Sequence, residues 1–306
     1  MEEQQKIRNF RIRGAVSAPF TAFKPNGEIN YEIIPAFCSY LKDHHFEYAY
    51  VNGTLGEGMS LTIEERKKSL EAWVEAADGK IGIIAHVGAN NLRDSQVLAR
   101  HAEDVGVDAI AALAPSFFKP TNEEALVEYM AAVAGMAPKT PFYYYCINYV
   151  TGIYLNAAKF LRLAKDKIPT LCGLKHSSKE LTSAHSCMMV DKDRFQVMCG
   201  TDVQYITALS LGIDVPVSVA FMGDVFYNLK TAYDKGDMAS AMKFQEQAQL
   251  IDTLRDRPGG AFPIAKRMFT IISGLDMGPV RLPLKDICKE QEDSLRKDID
   301  ALGLWK

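Results

Sequence analysis

With 306 residues, 48% of them hydrophobic, the chain can bury one large α/β barrel or two ordinary domains. Its 35 Lys and Arg against 38 Asp and Glu leave a net charge of -3 with both signs interspersed, which excludes the basic footprint of a nucleic-acid binder and a polybasic membrane face. The polar start MEEQQKIRNFRIRG lacks the apolar core of a signal peptide, and no apolar run approaches the roughly 18 residues of a membrane span, so a cytoplasmic protein acting on a small molecule is expected.

Short apolar runs then alternate with amphipathic stretches along the chain, the pattern of repeated βα units on a parallel sheet. In chain order the expected elements are strand Gly14–Pro19, helix Ile33–Lys42, strand Tyr48–Asn52, helix Ile63–Ala77, strand Ile81–Val87 and helix Leu92–Val105. They continue as strand Ala109–Ala114, helix Asn122–Ala137, strand Pro141–Ile147, helix Ala157–Lys165, strand Leu171–Lys175 and helix Ala184–Val190. Strand Phe195–Cys199, helix Tyr205–Gly212 and strand Val215–Phe221 complete the series. Thr62 before Glu64-Glu65 and Thr121 before Glu123-Glu124 read as helix caps. Eight strands with intervening helices predict a TIM (β/α)8 barrel rather than a doubly wound sheet. A barrel needs one more helix after its last strand, so residues 226–306 are expected to hold that helix and a small C-terminal helical bundle packed on the barrel of residues 1–225. The Met and Phe residues of that tail, at helical spacing, read as core, and no chemistry is assigned to it.

Six cysteines are scattered without a CxxC pair, three of them (Cys146, Cys172, Cys199) inside apolar runs, which predicts buried free thiols. Six histidines show no HExxH or similar spacing, and the neighbours His44 and His45 would point apart on a helix. No metal is implied.

In a parallel barrel the chemistry lies where each apolar run stops. The second strand runs into Val51-Asn-Gly-Thr54-Leu55-Gly-Glu-Gly58, the fifth ends near Tyr145, the sixth in Lys175-His176-Ser177-Ser178, and the seventh in Gly200-Thr-Asp202. Lys175 is the most informative of these. A strand-end lysine in many proteins only snorkels to solvent, but one closing a buried strand is desolvated, which lowers its pKa and frees the lone pair that attacks a ketone or aldehyde. Tyr145, one strand away, offers a phenol that can pass protons to and from the same carbonyl. The glycine-rich loop at residues 53–58 is shaped like a backbone nest for a carboxylate or phosphate, although such turns into helices are commonly structural.

Gly53-Thr-Leu-Gly-Glu57 with Ser60-Leu-Thr62, Tyr143-Tyr-Tyr145, Gly173-Leu-Lys175 and Gly200-Thr-Asp202 occur in the order and spacing of the N-acetylneuraminate lyases of the dihydrodipicolinate synthase superfamily. The chain resembles that family over nearly its whole length, including Ala85-His-Val-Gly88, Leu98-Ala-Arg-His-Ala102, Ala114-Pro-Ser-Phe-Phe-Lys-Pro120 and Met277-Gly-Pro-Val-Arg-Leu-Pro-Leu284. The resemblance implies a class I aldolase that needs no metal or organic cofactor, in which Lys175 condenses with the ketone of a 2-oxo acid and Tyr145 shuttles the proton during carbon–carbon cleavage. It also implies substrate contacts at Thr54, Leu55, Ser177, Gly200, Asp202, Val203 and Val219. A homo-oligomer follows as well, a dimer of dimers in which Phe117 and Phe118 cross a subunit boundary.

Several of those positions depart from the family pattern in one direction. Gly-Ser/Thr-Thr-Gly-Glu carries two hydroxyls for the substrate carboxylate, and here the second is Leu55. Tyr-x-Ile-Pro becomes Tyr145-Cys-Ile-Asn148, Gly-x-Asp-Glu loses its glutamate to Val203, and Val219 aligns with a substrate-contacting serine. A buried hydroxyl left unpaired costs roughly 1–3 kcal/mol, one to two decades per contact. The expectation is retained imine chemistry on a carbonyl substrate less polar than sialic acid. Alternatives are a true N-acetylneuraminate lyase giving pyruvate and N-acetylmannosamine, a Mannich-type condensing enzyme, and a noncatalytic binding paralogue.

Overall fold

The computed structural model describes residues 2–305. Eight parallel strands, β1 (Ala15–Ser17), β2 (Phe46–Val51), β3 (Gly82–His86), β4 (Ala109–Leu113), β5 (Phe142–Cys146), β6 (Leu171–His176), β7 (Gln196–Cys199) and β8 (Val215–Ser218), pair in sequence order, and β8 returns to β1 to close a barrel. A helix α1 (Glu2–Arg8) precedes β1. Helices α2 (Ile34–Asp43), α3 (Ile63–Ala77), α4 (Leu92–Asp104) and α5 (Glu123–Ala134) follow β1 to β4. The short α6 (Asn148–Thr151) and then α7 (Ala157–Ala164) follow β5, with α8 (Leu181–Met188), α9 (Tyr205–Ser210) and α10 (Gly223–Asp234) after β6, β7 and β8. The fold is the TIM barrel expected from the alternation, and α11 (Met238–Thr253), α12 (Ala261–Ser273) and α13 (Lys289–Leu302) extend it.

Both faces of the strands are covered, which is why β4, β5 and β6 are buried at every position and read as continuous apolar runs. Alternate residues divide between two cores. Tyr50, Ile84, Tyr143, Tyr145, Met198 and Val217 fill the barrel, while Phe142, Leu171, Leu174 and Val197 face the helices. The tail joins the outer core: Phe269 of α12 stacks on Phe37 of α2, ring centroids 4.4 Å apart, and α11 packs on α10 and α9.

Helix α3 starts where its residues dictate, with Thr62 accepting from Glu65 N at 3.2 Å and Glu65 reaching back to Thr62 N at 2.8 Å. The cap of α5 is Asn122, whose side chain accepts from Ala125 N at 2.8 Å, not Thr121. β8 stops at Ser218 instead of reaching Phe221, because β1, its partner, ends at Ser17 and offers no further ladder. Helix α8 begins three residues before the expected Ala184, since its polar first turn hides all the apolar periodicity except Leu181. The pair His44 and His45 lies past the end of α2, and both rings turn to Asp224, at 2.7 and 3.9 Å. Five cysteines are buried free thiols as expected, whereas Cys288 is exposed.

Candidate active site

The mouth of the barrel opens into a cavity of about 580 Å³ lined by Thr54, Leu55, Tyr145, Lys175, Ser177, Gly200, Asp202, Val203 and Val219, so all nine residues singled out from the sequence meet in one place. Register brings the central pair together: Tyr145 on β5 lies opposite Lys175 on β6. Both point into the barrel, and the Lys175 amine sits 4.2 Å from the centroid of the Tyr145 ring and 4.5 Å from that of Tyr50 on β2. Across the mouth, a Cβ on Gly200 would stand 2.0 Å from Ser177 Oγ and 3.1 Å from Lys175 Cε, so glycine is what leaves space for the lysine stem.

Electrostatics favour a neutral amine. Lys175 is 5% exposed and makes no hydrogen bond or ion pair with any described residue; burial pulls its pKa from 10.5 to about 7, with the Asp202 carboxylate opposing in small part. Tyr145 is pushed the other way, to about 12, chiefly by burial and offset in part by hydrogen bonds to the Thr54 and Ser177 hydroxyls. Thr54 Oγ1 lies 3.2 Å from the Tyr145 phenol oxygen.

The loop that presents Thr54 is tightly built. Glu57 adopts a left-handed conformation (φ 51°), its amide donates to Thr54 O at 3.0 Å, and Gly58 N donates to Gly53 O at 3.1 Å. A Cβ on Gly58 would meet Asn52 O at 1.9 Å, so only glycine permits this turn. The amides of Leu55 and Gly56 have no partner among the described residues. The C-terminal extension locks the loop from behind: Lys266 Nζ of α12 meets Glu57 Oε1 at 2.8 Å with both side chains under 5% exposed, and Arg281 N donates to the other Glu57 oxygen at 2.9 Å. Arg281 also clamps Glu65, whose carboxyl it holds down at about pKa 2.

The extension also enters the cavity, contrary to the sequence reading that gave it no chemistry. Arg255, just past α11, reaches Asp202 at 3.4 Å and Asp252 at 3.0 Å, and Asp256, Ala261 and Phe262 line the same wall. Burial raises the pKa of Asp202, and the Arg255 guanidinium and Ser218 hydroxyl draw it back. Ser218 and Arg255 therefore belong to the polar end of the site. Ser218 hid inside a strand, and Arg255 stands about 50 residues of chain from the barrel segment it serves, in a polar helix end that carries no motif. Tyr149 and Tyr154 at the rim were also missed, because α6, which holds Tyr149, is too short to show periodicity and Tyr154 lies in the loop beyond it.

The match to known proteins covers nearly the whole chain. Residues 11–302 fit the model of the dihydrodipicolinate synthetase family. The N-acetylneuraminate lyase of Rattus norvegicus is 38% identical over 285 residues, covering 92% of this chain and 89% of the rat protein. That of Xenopus tropicalis is 38% identical over 299 residues, covering 96% and 98%. The solved N-acetylneuraminate lyase of Proteus mirabilis superposes with a TM-score of 0.93 at 30% identity, covering 97% of this chain and 100% of its own. Among the described residues no helix is long and apolar enough to cross a membrane. With a closed barrel, a buried lysine and tyrosine at its mouth and relatives of this kind along nearly its full length, the chain belongs to the dihydrodipicolinate synthetase family and is an N-acetylneuraminate lyase-like carbon–carbon lyase.

Proposed function

We propose that the protein makes or breaks a carbon–carbon bond through an imine on Lys175, acting on a carbonyl substrate less polar than sialic acid. The observation that carries this reading is the amine: buried, unpaired and with a pKa of about 7, it is half neutral nucleophile at neutral pH. A 2-oxo acid fits with its carboxylate against the Leu55 and Gly56 amides and the Thr54 hydroxyl, its ketone carbon at Lys175 and its oxygen at the Tyr145 phenol. Tyr145, neutral with a pKa of about 12, gives a proton to the departing oxygen as water leaves the carbinolamine, and takes one from the hydroxyl of the bond that cleaves. Ser177 and Gly200 border the lysine, and Asp202, with Arg255 and Ser218, meets the far end of the substrate. Leu55, Val203 and Val219 give that cavity apolar walls where hydroxyls of a sugar chain would need partners.

A second reading is a working N-acetylneuraminate lyase, favoured by the presence of Thr54, Tyr145, Lys175 and Asp202 together and by what the relatives are called. Release of pyruvate from sialic acid by the purified protein, at rates that saturate with substrate, would select it; silence with sialic acid and turnover of a less hydroxylated 2-oxo acid adduct selects the first. The proposal includes a cytoplasmic dimer of dimers, supported by Phe117 and Phe118, 78% and 82% exposed on the loop after β4. Light scattering reads the mass directly, and a monomer would sink that part.

A further inference from the structure

We propose that the ring face of Tyr50 is a working part of this site: placed against the Lys175 amine, it stabilises the positive charge that this nitrogen carries as an iminium. The proposal rests on the imine reading of Lys175. Strand β2 turns Tyr50 into the barrel, where it is fully buried, and its ring centroid lies 4.5 Å from Nζ. The Tyr145 ring stands 4.2 Å from the same nitrogen and 5.6 Å from the Tyr50 ring at 69°, so two aromatic faces bracket the amine. A cation this close to an aromatic face in a desolvated site is attracted by the ring quadrupole, with an effect of about ten- to thirty-fold on an equilibrium.

Beyond these two rings, no group among the described residues does this work at contact distance. The groups facing it are Tyr50 from β2, Tyr145 from β5 and Asp202 after β7, with His86 of β3 behind the two rings at 6.1 and 5.9 Å. Asp202 acts on Lys175 through space and is bonded to Arg255 instead. His86 is kept neutral by burial and by the adjacent Arg66 guanidinium. The Tyr50 hydroxyl has no protein partner among the described residues, and burial raises its pKa well above 10, so it neither donates to nor takes a proton from the lysine. What Tyr50 presents is its ring.

In the chemical step, the neutral amine attacks the carbonyl carbon and a C–N bond forms. The carbonyl oxygen leaves as water, carrying one hydrogen from the amine and one added proton, and the nitrogen, which keeps its other hydrogen, becomes a protonated iminium. When the neighbouring carbon–carbon bond breaks, its electron pair flows to the nitrogen and the enamine is neutral. A ring face therefore stabilises the ammonium and the iminium but neither the amine nor the enamine. Above pH 7, where free Lys175 is the amine, losing the ring should weaken iminium formation; well below pH 7 the ammonium loses the same stabilisation and the effect cancels.

The test uses the full chain with pyruvate as the probe. Iminium is trapped by borohydride at pH 6 and pH 9, and the pKa of Lys175 is followed separately by competitive acetic anhydride labelling across pH. Tyr50→Leu is expected to raise the pyruvate concentration for half-maximal trapping about ten-fold at pH 9 and by less than about two-fold at pH 6, and to move the labelling pKa lower by about one pH unit. Starting from Tyr50→Phe, successive ring fluorines, which keep the shape and empty the π face, should lower that pKa stepwise even where the leucine variant does not fold. Equal losses at both pH values, a labelling pKa that rises toward 10.5 as water enters, or indifference to fluorination would overturn the proposal. If the unaltered protein traps no pyruvate at either pH, the imine reading loses its support, while the fluorinated series still decides whether the ring holds charge on Lys175.

Discussion

Replacing Lys175 by methionine should make the protein more stable, by an amount that depends on pH in a calculable way. The amine has a pKa of about 7 when folded and 10.5 when free. Since the folded pKa lies below the unfolded one, the unfolded chain binds more protons between these values, and stability must rise with pH through that window. The cost of burying the amine is fully present below about pH 7 and gone above about pH 10.5. Each pH unit of that gap is worth about 1.36 kcal/mol, which sets an upper bound of roughly 5 kcal/mol. Relaxation and the loss of the lysine's contacts with the two rings reduce this, and a gain of about 2–4 kcal/mol at pH 7 is expected for Lys175→Met, a side chain of similar length that needs no partner. Urea unfolding of both proteins at one protomer concentration, from pH 6 to 9.5, measures it, the fixed concentration holding any assembly term constant. The gain should be level at the acid end and shrink steadily above pH 7. A variant that is less stable than the parent, or a gain that does not change with pH, would refute the claim that the lysine is held unionised at a cost.

Tyr145→Phe should cut turnover by about 10²–10⁴-fold while borohydride still traps a carbonyl compound on Lys175, because proton transfer is lost and the nucleophile is kept; loss of trapping with an intact fold would count against that division of roles. Leu55→Thr, Val203→Glu and Val219→Ser combined should raise pyruvate release from sialic acid by at least about ten-fold, and unchanged rates would mean that these positions do not set substrate choice. Lys266→Met leaves Glu57 as an uncompensated buried charge and should destabilise by about 3–5 kcal/mol; a thermal midpoint within a degree or two of the parent's would show that the Glu57–Lys266 pair does not hold the Thr54 loop.

Much of this site could be read in the residues because parallel barrels put function where apolar runs end. Lys175, Tyr145, Thr54 and Asp202 each stand at such an end, and the register that sets Tyr145 beside Lys175 follows from consecutive strands pairing in order. The strands themselves were visible because β4 to β6 are buried on both faces, leaving unbroken apolar runs. What stayed hidden depends on distance along the chain. Arg255 meets Asp202 across 53 residues, and Lys266 meets Glu57 across 209, pairings that no local period announces. Nothing in the run Tyr48–Asn52 singles out Tyr50, and only the closed barrel brings its ring to the lysine. The end of β8 was misjudged for a similar reason, since the apolar run Val215–Phe221 continues past the point where β1 has anything left to pair.

In the proposed reaction Lys175 forms an imine with a carbonyl substrate. Intact mass after borohydride reduction tests it, with pyruvate, sialic acid and less polar ketones and aldehydes offered one at a time to the parent protein and to Lys175→Ala. A single adduct that maps to residue 175 in the parent and vanishes in the variant is the predicted result, and the compound that forms it names the substrate class. Adducts at other lysines that persist in Lys175→Ala, or turnover that survives the substitution, would contradict the account.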